Sequence, residues 1–425
     1  MRVLWLCNQM PALVADSIKK ESSNKEGWVT GTMETLLKHA REDDIQPALA
    51  FPVPRETPMH GMARGVEFFG FCEDSAHPEN YDPALVGALG LICDEFRPDV
   101  IHVFGTEYPH TLALLRVSEW KSRVVVHIQG VMQKCEEVYF GGLPESVTQR
   151  ASFRDILRRD SLARQKEKYR LRALNEADAL VLAERVCGRT AFDKEFYQAL
   201  HPDGNYYSLN ETLRPCFYEG DWTPEGCVPH SIVVPQGNIP LKGVHVMIEA
   251  LALLKDRYPD ATLTVAGDNI LRGGGLMNAV KRCGYGKYLR KRIAALHLQD
   301  AVHFIGQKKD EEMKALYLSS EAFVLPSFVE NSPNSLGEAM LLGLPAIASR
   351  VGGIPSMAKE DEELRFVEAG KAEELAAALT DLFEDKEKTY AYAAAARKRA
   401  VLTFDREANY RMLRWIYETV IKENS

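Results

Sequence analysis

The chain predicts an α/β protein made of two consecutive halves, each a parallel sheet with helices on both faces. Three observations carry this. Short β-branched and aromatic runs alternate with helix-period segments along most of the 425 residues. Several strand-like runs end in glycine, as at Gly105, Gly130, Gly267 and Gly306, where open α/β sheets bind ligands. The strand–helix rhythm restarts after a cluster of proline, glycine and charge at residues 221–226, which reads as an interdomain linker.

Composition narrows the class. A chain that is 46% hydrophobic and 26% charged is globular, and its length suits two domains. A net charge of −8 argues against nucleic acid as a partner. The eight cysteines form no CxxC pair and none has a His at metal-ligand spacing, so they read as reduced thiols and the expected location is cytoplasmic. The opening MRVLWLCNQMP is too short and too polar for a signal peptide. Apolar runs such as 83–93 fall far short of the ~20 residues that span a bilayer, so any membrane role is peripheral.

Residues 2–7 (RVLWLC) read as a buried first strand. Gly27 and Gly31 bracket the start of an amphipathic helix through residue 40, and glycine after a first strand suits close approach to a phosphate or sugar as well as an ordinary flexible loop. A helix over 83–96 is broken by Arg97-Pro98-Asp99, and 100–104 (VIHVF) and 123–128 (RVVVHI) are strands. Their ends put Gly105-Thr106-Glu107 and His127, Gln129 and Gly130 at a candidate ligand edge. Residues 150–172, with Arg150 and Arg172 at the ends, hold nine Lys/Arg against three acids, with Phe153, Ile156, Leu157 and Leu162 at helical spacing. Peripheral contact with anionic lipid or a pyrophosphate-linked acceptor is weighed there against a solvated helix face. Residues 177–182 (ADALVL) read as a further strand.

After the linker, 230–234 opens a second series. A loop carrying Gly237, Asn238 and Lys242 leads into a helix over 244–255, and strands follow at 261–266 and 302–305, the latter ending in Gly306-Gln307. A short helix over 311–319 precedes the strand at 322–326, 345–349 is a last strand, and long helices run from 371 to the end. Lys242 stands beside Gly243 in the first strand–helix loop of this half, where a phosphate-binding cation is expected.

The most informative stretch is 327–348, SFVENSPNSLGEAMLLGLPAIA. Glu330 lies in a polar turn. Ser332 is the expected N-cap and Pro333 the first helical residue, so Asn334, Ser335 and Leu336 are expected to offer backbone N–H groups to an anion. Glu338 follows about one and a half turns on, at ~1.5 Å per residue. A phosphate seat with a carboxylate on either side suits a nucleotide sugar, although a capped strand–turn–helix with two surface glutamates also occurs for purely structural reasons.

These residues resemble a known family. Lys242-Gly243, Gly267-Asp268, Val302-His303-Phe304-Ile305-Gly306, Leu325-Pro326-Ser327 and the Glu330-x7-Glu338 pair occur in the order and spacing of family 4 retaining glycosyltransferases (glycosyl transferases group 1). The likeness is strong over 231–353 and generic before it. It implies the GT-B fold: two Rossmann-like domains with parallel sheets facing across a cleft. The implied division is 1–225 for the acceptor, 226–404 for the nucleotide sugar, and a helix at 405–425 crossing back to the first domain. By resemblance Lys242 stabilises the donor diphosphate and Glu330 contacts the sugar hydroxyls. Backbone N–H groups near Asn334, Ser335 and Leu336 hold phosphate, Glu338 binds the ribose, and Gly306-Gln307 lies near the base. Gly237, Asn238 and Gly267 complete the donor set. No cofactor is implied beyond the donor itself, with a UDP-sugar favoured, and the acceptor is a glycan or a lipid-linked sugar.

Three departures stand out. The usual Glu-Gly-Phe-Gly is Glu330-Asn331-Ser332-Pro333, Gln236-Gly237-Asn238 stands where an arginine is usual, and Gln129-Gly130 replaces the common His-Gly or His-Asp, with His127 two positions earlier. They resemble a subgroup in bacterial surface-polysaccharide assembly. The chain has no Asp-x-Asp pair, which favours metal-independent transfer. The rival readings are a GT-B nucleotide-sugar epimerase or hydrolase, and a non-catalytic nucleotide-sugar-binding protein.

Overall fold

The computed structural model describes residues 1–19, 27–54, 59–271 and 281–425. They group into two compact units, one of Met1–Gln133, Tyr169–Arg214 and Phe404–Ser425, the other of Lys134–Lys168 and Pro215–Thr403. Lys134–Lys168, counted with the N-terminal half on sequence, thus groups with the second unit.

The first unit contains β1 (Arg2–Leu6), β2 (Gln46–Val53), β3 (Met59–Ala63), β4 (Val66–Cys72), β5 (Val100–Phe104), β6 (Val124–His127), β7 (Arg185–Gly188) and β8 (Asn205–Ser208). They lie in the order β3-β4-β2-β1-β5-β6-β7-β8, parallel except for β3 against β4. The period of two explains why β1 is apolar from Val3 to Leu6. Val3 and Trp5 feed one core and Leu4 and Leu6 the other, because helices cover both faces. The helix Arg406–Glu423 lies on the first of these cores, with Tyr410, Leu413, Ile416, Tyr417 and Val420 buried as one stripe. The side chain of Asp405 caps it by accepting the Ala408 N–H at 2.6 Å.

The second unit contains β9 (Ser231–Val234), β10 (Thr262–Ala266), β11 (Val302–Gly306), β12 (Ala322–Leu325), β13 (Ala346–Ser349) and β14 (Arg365–Val367), all parallel, in the order β11-β10-β9-β12-β13-β14. From β9 the chain winds first to β10 and β11, then crosses to β12 on the other side. The switch point between β9 and β12 is where such sheets open a crevice.

Several expectations are corrected. Residues 177–182 are not a strand but the end of the helix Leu162–Leu182, and the strand comes at β7. Ala179, Leu180 and Ala183 are buried while Val181 is 54% exposed, the pattern of a helix with one covered face. The basic stretch is two helices, Phe153–Arg158 and Leu162–Leu182, because Arg159 takes the left-handed conformation at φ 52° and ends the first. Leu162 is therefore buried, apart from exposed Phe153, Ile156 and Leu157. The glycines at 27 and 31 lie inside the helix Gly27–His39, and the residues at 20–26 are outside the described ones.

Candidate active site

In the second unit the loops after β9 and β12 meet. Phe328 N–H donates to the Leu241 carbonyl at 2.8 Å, fixing one loop on the other. Gly243 makes the approach possible: it sits at φ 67°, and a β-carbon there would run into the Pro326 carbonyl. With the loops so placed, Lys242 Nζ reaches Glu330 Oε1 at 2.7 Å. The two side chains are 23% and 10% exposed, so the pair is partly desolvated and its charges act more strongly than on an open surface. Ser327 Oγ donates to the same Oε1 at 2.7 Å, and Oε2 has no hydrogen bond among the described residues. The Glu330 backbone is held from below by the loop after β13. Gly353 N–H donates to its carbonyl at 3.0 Å, and Gly352, at φ 52°, has no room for a β-carbon against that carbonyl.

The helix Asn334–Leu342 begins directly after this turn. Its start differs from expectation by one residue. Pro333, in extended conformation, is the N-cap, and its side chain makes no cap hydrogen bond. The Leu336 N–H is taken by the Pro333 carbonyl at 3.0 Å, because the first turn tightens to i→i+3 bonds. Asn334 and Ser335 therefore supply the leading amides at the positive end of the helix. Glu338 is not a surface residue: at 3% exposure it is buried on the inner face of the helix.

The remaining donor candidates line the ends of β9, β10 and β11. Asp268 gathers them, accepting from Gln307 Nε2 at 2.7 Å and from Asn238 Nδ2 at 3.5 Å. Gly267 N–H donates to the Gly306 carbonyl at 3.2 Å, both glycines having positive φ. Gly237 is packed so closely that a β-carbon would lie 2.7 Å from Val265 Cγ1. Sequence reasoning quoted Asp268 but did not assign it a place, and it missed His245. The imidazole of His245 stacks on Phe328 with centroids 5.8 Å apart, and meets the Gly141 carbonyl at 2.7 Å and Tyr285 OH at 3.0 Å. Burial holds it neutral, its pKa lowered to about 4. Its position beside Val244 at the helix start was the available signal.

In the first unit the candidates divide. His127 is 1% exposed at the end of β6, stacked on His102 at 5.5 Å. Burial, then His102 and Arg189, lower its pKa well below the ordinary range, so it is a neutral interior ring. Gln129 and Gly130 lie at the sheet edge. Arg189 Nη1 donates to Glu211 Oε2 at 2.7 Å and Nη2 lies 3.4 Å from Gln129 Oε1, and a β-carbon on Gly130 would be 3.5 Å from Glu107 Oε1. Gly31, within its helix, packs against the segment after β8: a β-carbon there would sit 2.8 Å from the Leu213 carbonyl. Gly27 is the first residue of the helix. Unannounced by sequence are His110, which bridges Glu73 (2.9 Å) and Asn8 (3.1 Å), and Glu176, which accepts from Thr106 Oγ1 at 2.6 Å and Met132 N–H at 2.8 Å. All eight cysteines are free thiols, and among the described residues no group of three or more His, Cys, Asp or Glu is placed to hold a metal ion.

Comparison with known proteins says what the second unit resembles. Residues 232–399 match the family described as glycosyl transferases group 1. Over that stretch the chain is similar to glycosyl transferases group 1. The stretch includes every donor candidate named above. Among curated relatives, the D-inositol 3-phosphate glycosyltransferase of Corynebacterium urealyticum is 29% identical over 160 residues, 38% of this chain and 36% of the relative. The amylovoran biosynthesis glycosyltransferase AmsK of Erwinia amylovora is 30% identical over 183 residues, 42% of each chain. The chain thus spans about two-fifths of the length of the curated relatives it matches. Among solved structures, sucrose-phosphate synthase from Thermosynechococcus elongatus superposes over 100% of both chains with a TM-score of 0.74 at 16% identity. Anabaena HepE in complex with UDP and glucose covers 99% of this chain and 100% of its own, with a TM-score of 0.66 at 18% identity. The fold that these superpositions show is GT-B. No helix among the described residues is long and apolar enough to cross a membrane.

Proposed function

We propose that the protein is a family 4 retaining glycosyltransferase that moves a sugar from a nucleoside-diphosphate sugar, in first place a UDP-sugar, to a hydroxyl of a glycan or lipid-linked acceptor. The observation that carries this is the Lys242–Glu330 pair, 2.7 Å apart at the switch point beside the start of the helix Asn334–Leu342. A cation, a dipole end and a carboxylate with one oxygen open suit a diphosphate bonded to a sugar. A relative named for amylovoran biosynthesis and a fold neighbour bound to UDP-glucose support the direction, and surface polysaccharide or another glycoconjugate is the proposed product.

In this reading the bond from the anomeric carbon to the diphosphate oxygen breaks, and a bond to the acceptor oxygen forms on the same face. The acceptor proton passes to the departing phosphate oxygen. Lys242 and the amides of Asn334 and Ser335 stabilise the charge that grows on the diphosphate, without a metal. Glu330 turns Oε2 to the sugar hydroxyls as a positioning group, Glu338 serves the ribose, and the Gly306-Gln307 edge with Asp268 and Asn238 serves the base.

The test joins binding to turnover. UDP or its sugars should raise the melting temperature with EDTA present, since a ligand of the folded state stabilises it by mass action. Lys242→Ala should lower release of nucleoside diphosphate by roughly 10²–10³-fold with the unliganded melting temperature kept. Unchanged turnover in that variant, or no shift with UDP, GDP, ADP or their sugars, overturns the reading.

A further inference from the structure

The helix Phe153–Arg158 is turned the wrong way round for a helix in water. Its polar side is the anchored one. Ser152 and Asp155 form a capping box, buried Asp155 accepts the Gly284 N–H at 2.9 Å, and Arg154 pairs with Asp155 at 3.1 Å and Asp160 at 2.7 Å. Its apolar side faces out: Phe153 is 62%, Ile156 66% and Leu157 75% exposed. Three large apolar side chains within five positions, held outward by the buried Asp155 carboxylate, its ion pairs and a cap, form a built surface and not scattered exposure.

The surroundings say what this surface meets. Arg150, Arg158, Arg159 and Arg164 are exposed and make no ion pair among the described residues. The helix Gly284–Ala295, to which Asp155 is tied, carries exposed Lys287 and Lys291. This cationic rim stands on a chain of net charge −8, so it is a local feature with its own field. Two copies of such a patch would repel each other, which disfavours self-association through it. We propose that the Phe153–Arg158 helix is a peripheral docking element for an anionic lipid surface. Phe153, Ile156 and Leu157 enter the acyl boundary while the arginines reach the headgroup phosphates. The proposal does not depend on the transferase reading.

Flotation of the full chain with vesicles of phosphatidylcholine, with and without phosphatidylglycerol, tests it. The protein should float only with the anionic vesicles and be released by salt. Phe153→Ala/Ile156→Ala/Leu157→Ala should cut partitioning roughly tenfold or more, and Arg158→Gln/Arg159→Gln should weaken it and flatten its salt dependence. Val401→Ala/Leu402→Ala, at exposed apolar residues elsewhere, should bind like the parent. Melting temperatures should match in all four proteins. Equal flotation on neutral vesicles, parental binding in the apolar triple variant, or absence of flotation together with a dimer that the triple variant abolishes each overturns the proposal.

Discussion

At the residue scale, Glu176 shows how an interior group ties stability to pH. Burial, reinforced by the nearby Glu107 carboxyl, raises its pKa from 4.5 to about 8 against the lowering effect of the Thr106 hydroxyl and the Gln133 and Met132 amides. The folded form therefore holds a proton that the unfolded chain has released. Below 4.5 both states are protonated and the group contributes no difference. Between 4.5 and 8 only the folded state is, so stability falls as pH rises through that window. Glu176→Gln keeps an acceptor for the backbone amides and removes the titration. It should flatten the dependence and raise the melting temperature at pH 8 by several degrees, with little change at pH 4.5. Thermal melts across that range check it. Lys242 and Glu330 could each be picked out as candidates from strand ends and glycine spacing. Their contact could not, because 88 residues separate them and nothing local encodes a distance across a sheet.

At the element scale, glycine conformations decide whether the site forms. Gly243 lies at φ 67° with the Pro326 carbonyl where a β-carbon would be. Gly243→Ala should destabilise the protein by more than about 1 kcal/mol, read from urea unfolding, and, under the proposed function, should also abolish the thermal shift expected with UDP by parting the two loops. Helix and strand types followed their patterns where the period was clean, as in β1, β9 and β12. They failed where propensity was ambiguous. ADALVL suits either state in isolation, and only the preceding helix turns extend it as helix. The interior strand β2 holds Pro47 and Pro52, residues that argue against a central strand. They are tolerated next to its two ends, where a missing N–H costs the ladder least.

At the scale of each folded unit, chain ends far apart in sequence are joined by single buried polar groups. Tyr417 on the last helix accepts from Trp5 Nε1 at 2.9 Å and donates to His102 Nδ1 at 2.7 Å, partners 412 and 315 residues away. His102 can accept because burial lowers its pKa to about 3 and keeps it neutral. Tyr417→Phe would leave an indole N–H and an imidazole nitrogen unpaired in the core, a cost of about 1–3 kcal/mol, seen as a lower urea midpoint with nucleotide binding retained. The same scale explains the grouping of Lys134–Lys168 with the second unit. The Asp155–Gly284 and Gly141–His245 hydrogen bonds hold it there, and both span more than a hundred residues.

The sequence alone determined the alternation of strands and helices and the two doubly wound sheets, and it supplied the candidates from Lys242 to Glu338 on which the proposed function rests. Each of these depends on a local period, a cap or a glycine next to a strand. Tertiary structure decided the rest. It put Glu338 inside instead of at the surface, passed the Leu336 amide to Pro333, buried His127 against His102, and turned Phe153, Ile156 and Leu157 outward. The physical reason is the same in each case: burial, pairing and exposure are set by neighbours that only folding brings together, and their cost or benefit exists only once water has been excluded on one side.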